Sequence, residues 1–117
     1  MSRISLALVA AVAAVALAVA PAWAAAPKLV GTVGPDFSIK LTKAGKKVTS
    51  LKAGKYTIVV QDKSSIHNFH LKGPGLNKLT SVSYMGNKTW AVTLKKGIYR
   101  YVCDPHATSM KGSFTVA

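Results

Sequence analysis

The 117-residue chain predicts an all-β fold, a Greek-key β-sandwich of seven or eight strands. Three observations predict it. Apolar and polar residues alternate in short runs, glycine-containing turn pairs separate those runs, and no stretch after Pro27 carries the 3.6-residue apolar period of a helix. The length allows one folded domain, and half of the residues are apolar, so the charge does not imply disorder.

The chain opens with a segment of a different kind. Met1 to Arg3 is a short basic start, Ile4 to Ala20 is an apolar run, and Pro21 ends it before the small residues of Ala22-Trp23-Ala24. This pattern reads as a secretory signal peptide, residues 1–24, cleaved after Ala24. A retained anchor is the competing reading. The run is short for a span of roughly 20 residues, and its many alanines are weakly apolar. No cysteine lies near the cleavage point, which excludes a lipoprotein. The expected mature domain is residues 25–117, 93 residues with a net charge of +12 once Arg3 is removed.

Within it, Phe37, Ile39 and Leu41 form the first alternating run. Tyr56, Ile58 and Val60 form the next, followed by Trp90, Val92 and Leu94, and then by Phe114 and Val116. Ala44-Gly45, Ala53-Gly54, Gly73-Pro74-Gly75, Gly86-Asn87 and Lys96-Gly97 supply the turns. Leu51-Lys52-Ala53-Gly54-Lys55-Tyr56 echoes Leu94-Lys95-Lys96-Gly97-Ile98-Tyr99. Each copy places a Tyr two residues after the turn glycine, where its hydroxyl can brace the corner.

The chemistry concentrates near the C-terminal end. In Tyr99-Arg100-Tyr101-Val102-Cys103, period-two alternation turns Tyr99, Tyr101 and Cys103 inward and Arg100 and Val102 outward. Pro105 breaks the strand, and His106 and Met110 follow on a loop short enough to fold back over the sulfur. A single cysteine excludes a disulfide framework and any two-cysteine metal centre. An exported free thiol also needs protection from oxidation. A thiolate, imidazole and thioether within eight residues form a soft ligand set suited to copper. Parity places His67 inward with Phe69 and Leu71, and Asn68 and His70 outward, which leaves His70 as a surface histidine. The expected metal site is therefore His67, Cys103 and His106 in a plane, with Met110 as a distant axial ligand. Met85, beside the Gly86 turn, is the weaker methionine candidate.

His67-Asn68, the run from Gly97 through Cys103-Asp104-Pro105-His106, and Met110-Lys111-Gly112-Ser113-Phe114 together resemble the small blue copper proteins, or cupredoxins. Plastocyanin, pseudoazurin and amicyanin are the members most alike. The resemblance implies copper ligation by His67, Cys103, His106 and Met110, one type 1 copper per chain, and a loop-tying role for Asn68. It also implies His106 as the surface port for electrons and His67 as the buried ligand. Val102 stands where plant plastocyanins carry an exposed aromatic.

The function expected is that of an exported, soluble single-electron carrier cycling Cu(I) and Cu(II), periplasmic or extracellular, monomeric and not an enzyme. The alternative is copper delivery, sequestration or resistance without redox cycling. A Cys103–His106 nucleophilic enzyme is disfavoured, because no orienting group is evident and Met110 would have no part in it. Fourteen of the fifteen basic residues after the leader are Lys. Base-reading surfaces favour bidentate Arg, so nucleic acid is not the expected partner. A solvated surface accounts for some of the lysines, and steering toward a redox protein with an acidic docking surface, or toward an anionic membrane surface, accounts for the rest. An up-and-down strand order predicts a lysine rim of Lys43, Lys46, Lys47, Lys63 and Lys111 around His106.

Overall fold

The structure, a computed structural model, describes residues 25–117. Residues 1–24, expected to be a signal peptide, lie outside the described residues. No helix among them is long and apolar enough to cross a membrane.

Ten short strands form two five-stranded sheets. They are β1 (Lys28–Val33), β2 (Ile39–Lys43), β3 (Lys46–Lys47), β4 (Ser50–Leu51) and β5 (Gly54–Asp62), then β6 (His70–Gly73), β7 (Leu76–Leu79), β8 (Gly86–Leu94), β9 (Gly97–Val102) and β10 (Lys111–Val116). One sheet runs β3-β2-β1-β5-β8 and the other β4-β10-β9-β6-β7. The excess over seven or eight strands comes from the two-residue pieces β3 and β4. Most pairs are antiparallel, but β1 lies parallel to β5 and β4 parallel to β10.

The inner faces follow the alternation in the sequence. Tyr56, Ile58 and Val60 of β5 and Trp90, Val92 and Leu94 of β8 are buried, opposite Tyr99, Tyr101, Phe114 and Val116 of the second sheet. Burying each such side chain contributes about 1.5–3 kcal/mol relative to leaving it exposed. Phe69 stacks on Tyr101 with ring centroids 5.7 Å apart, and Tyr99 on Phe114 at 5.2 Å. Both sheets and this core close within residues 28–116, so the span is a folding unit in its own right. The two echoing corners form as expected. Tyr56 Oη donates to the Lys52 carbonyl at 2.7 Å, and Tyr99 Oη to the Lys95 carbonyl at 2.9 Å.

Strand β1 was not legible in the sequence, and its direction matters. It runs parallel to β5 toward the end where β9 delivers Cys103, so the antiparallel β2 runs away from that end. The Ala44–Gly45 turn that joins β2 to β3 therefore sits toward the opposite pole, not around His106. The expected lysine rim is wrong for Lys43 and Lys46, whereas Lys47 lines a surface cleft with Val102 and Lys111, and Lys63 and Lys111 lie beside the Cys103 end. Phe37 also departs from expectation. It precedes β2 and is 65% exposed.

Candidate metal centre

Four segments meet where β9 ends. The first is the β1–β2 loop. Gly34 has φ +72°, and a Cβ there would lie 2.8 Å from Ser64 Cβ and 3.5 Å from His67 Cδ2. Glycine therefore lets this loop close over the histidine. Phe37, at its tip, sets its ring edge-on to both His67 and His106, at centroid separations of 4.9 and 5.0 Å.

The second segment, residues 63–69, carries His67. It is a loop rather than part of β6, so strand parity does not hold there, and His67, Asn68 and Phe69 are all buried in succession. Buried polar groups hold it in place. Asp62 accepts from the Ser64 amide at 3.2 Å and from the Thr80 hydroxyl at 3.0 Å. Thr80 Oγ1 accepts from the Phe69 amide at 2.9 Å. Burial raises the Asp62 carboxyl above its ordinary range, against the lowering effect of those hydrogen bonds and of the nearby His67.

The third segment is Cys103 to Met110. A single 3-10 turn, Asp104–His106, carries Pro105 near its start, where the fixed φ suits an opening turn. The His106 amide donates to the Cys103 carbonyl at 3.0 Å, and the Met110 amide to the His106 carbonyl at 2.8 Å. The Cys103 amide donates to the Met110 carbonyl at 3.0 Å, which closes the loop and returns Met110 beside the cysteine. Met110 is buried in the core, whereas Met85 is exposed.

The fourth contribution is the tie between loops. Asn68 Nδ2 donates to Asp104 Oδ2 at 2.7 Å and to the Thr80 carbonyl at 3.2 Å, and the Asp104 amide donates to Asn68 Oδ1 at 2.7 Å. The loop-tying role of Asn68 is thus observed. His70 is not the free surface residue the parity reading made it. Its Nδ1 lies 2.9 and 3.0 Å from the two Asp104 oxygens, and its Nε2 is 2.6 Å from Asn77 Oδ1. Burial works to raise the Asp104 carboxyl. The hydrogen bonds from Asn68 and His70, with the charges of His70 and Lys72, outweigh it and hold the group below its ordinary value. Asp104, the acid beside the only cysteine, was the available clue to this clamp.

These segments bring three donor atoms together. Cys103 Sγ lies 3.6 Å from His67 Nδ1 and 3.5 Å from His106 Nδ1, and the two nitrogens are 3.1 Å apart. The point equidistant from all three is about 2.0 Å from each, close to the metal–nitrogen distance of about 2.0–2.1 Å and a little inside the metal–sulfur distance of about 2.3 Å known for zinc. Two imidazole nitrogens and a thiol sulfur at these separations can turn one lone pair each toward a single cation. His67 Nε2, buried without a partner among the described residues, carries the ring proton when Nδ1 presents its lone pair. The donor set fits copper.

A β-sandwich presenting two imidazoles, one thiol and a neighbouring buried methionine at one end defines a type 1 copper protein. The chain belongs to the copper-binding proteins of the plastocyanin/azurin family, whose sequence profile matches residues 35–117. It is a copper protein of the electron-carrying kind. Among solved structures the fold is similar to that of rusticyanin at 2.1 Å resolution, with a TM-score of 0.58, 21% identity, and 77% of this chain and 76% of that one covered. Reduced rusticyanin gives a TM-score of 0.55 at 23% identity, covering 77% and 78%. A chain of a heme-copper terminal oxidase dimer gives 0.55 at 17% identity, covering 77% of this chain and 63% of that one. No curated protein matches by sequence.

Proposed function

We propose that His67 Nδ1, Cys103 Sγ and His106 Nδ1 would hold copper, with the Met110 sulfur as the fourth ligand. In this reading the protein is exported and works outside the cytoplasm as a soluble, monomeric single-electron carrier. The observation that carries the proposal is the convergence of the three donor atoms at metal-binding separations. When bound, copper supplies one electron per cycle through the Cu(I)/Cu(II) couple.

The chain's own residues do the rest. The Asn68–Asp104–His70 clamp and the Cys103–Met110 backbone bond hold the donor atoms in one arrangement, so that electron gain and loss need little movement. The core around Cys103 and Met110 excludes water. His106 is half-buried and reaches the surface beneath Phe37, which makes its ring edge the route for the electron. The protein turns over no substrate. Its partner is a redox protein whose acidic groups meet Lys63 and Lys111.

A Cu(II) titration of residues 25–117, followed by visible absorption beside Cys103→Ser, tests this. An intense thiolate-to-copper band at one equivalent, bleached by ascorbate, restored by oxidant and absent in the variant, is expected. Copper that oxidises Cys103 without forming the band would overturn the carrier reading and leave copper handling in its place.

A further inference from the structure

The two ends of the sandwich differ in charge as much as in chemistry. All three acidic residues of the chain, Asp36, Asp62 and Asp104, sit at the Cys103 end. Half of the fourteen lysines of residues 25–117 sit at the opposite pole, where no Asp or Glu side chain accompanies them. Lys43 and Lys46 flank the β2–β3 turn, Lys52 and Lys55 flank the turn into β5, and Lys95 and Lys96 link β8 to β9. All six are exposed. An open basin of about 750 Å³ lies among them, lined by Lys43, Ser50, Lys52 and Lys55. Chain entry is at the same pole, through Lys28 of β1.

We propose that this lysine pole docks on an anionic phospholipid surface and leaves the copper end facing away from it. Two observations favour lipid over protein. Protein interfaces are depleted in Lys and built on aromatic and Arg anchors, whereas the six exposed cations here are all Lys. Exposed large apolar side chains cluster at the other end, with Phe37, Ile66, Leu79, Val82 and Met85 there and Ile98 toward the lysines. Strongly hydrated point charges around a shallow basin suit diffuse attraction to headgroup phosphates. In this orientation the copper end meets partners from the aqueous side.

Vesicle sedimentation of copper-loaded residues 25–117 tests the proposal. Binding to phosphatidylcholine vesicles containing phosphatidylglycerol, none to phosphatidylcholine alone, and release by salt are expected. Lys46→Gln/Lys52→Gln/Lys55→Gln should weaken binding on the order of a hundredfold. A second variant of the same pole, Lys43→Gln/Lys95→Gln/Lys96→Gln, should behave alike. The charge-matched control Lys63→Gln/Lys88→Gln/Lys111→Gln, nearer the copper end, should bind much as the parent does. The copper band confirms that each variant is folded. Equal losses in all three variants would mean that net charge acts without a pole and would overturn the proposal, as would a failure of the parent to bind anionic vesicles.

Discussion

Phe37 shows how one side chain can matter to the metal while mattering little to the fold. It is mostly exposed, so Phe37→Ala should cost no more than about 1 kcal/mol in urea unfolding. Yet its ring packs edge-on against both His67 and His106. Removing it admits water, which favours the more highly charged Cu(II) state. The reduction potential should fall by tens of millivolts on voltammetry, where about 59 mV is a tenfold shift for one electron. An unchanged potential would mean that the ring does not control solvent access. Asp62 gives a prediction of opposite character, since burial raises its carboxyl. A carboxyl raised in the folded state contributes stability that is fully present below its unfolded value, near 3.8, and is lost as pH rises through the folded value. Relative to Asp62→Asn, the parent should therefore gain stability as pH falls from neutral toward 3.8. Denaturation curves of the two metal-free proteins across that window check the sign. At this scale the sequence identified the four ligand candidates, because their residue types and spacing are chemical statements. It did not reveal His70 as part of the clamp, because strand parity was extended into a loop where successive residues all turn inward.

Among the elements, the two echoing corners were legible, but they are not equal. Tyr56 Oη makes one bond, to the Lys52 carbonyl. Tyr99 Oη donates to the Lys95 carbonyl, accepts from the Lys95 amide at 2.8 Å and approaches the Pro74 carbonyl at 3.3 Å, so it joins β8, β9 and the β6–β7 turn. Tyr56→Phe should therefore cost about 1 kcal/mol. Tyr99→Phe should cost about 2 kcal/mol, since it also strands an amide hydrogen. Equal costs in urea unfolding would show that the extra bonds of Tyr99 contribute nothing. Strands β5, β8, β9 and β10 were readable because one face of each is buried and the other wet. Strand β1 was not, for a physical reason. It lies inside a sheet beside a parallel partner, and Gly31, Thr32 and Val33 are buried in succession, so no alternation survives. At Gly31 the missing side chain admits the Phe69 ring, since a Cβ would stand 2.8 Å from Phe69 Cζ.

At the scale of the whole molecule, that one unread strand moved part of the charge map. Without β1, the turn after Lys43 falls at the copper end; with it, Lys43 and Lys46 join the lysines of the far pole, and Lys63 and Lys111 remain near His106. The separation is large enough to have kinetic consequences. The nine residues of β5 run from one end to the other, a distance of roughly 30 Å at about 3.3 Å per residue. The Debye length at physiological ionic strength is about 8 Å, so the two poles act independently on a small charged reagent. Hexacyanoferrate(III), an anionic oxidant, should therefore respond to the near lysines alone. At that ionic strength Lys63→Gln/Lys111→Gln should slow oxidation of the reduced protein severalfold and flatten its salt dependence. Lys46→Gln/Lys52→Gln/Lys55→Gln removes more charge and should leave the rate close to that of the parent. Stopped-flow traces across a salt series separate the cases. If rates track net charge regardless of position, the electron does not leave through the His106 face. If only the near pair matters, the lysine pole is free to hold the protein on a surface while electrons pass at the other end.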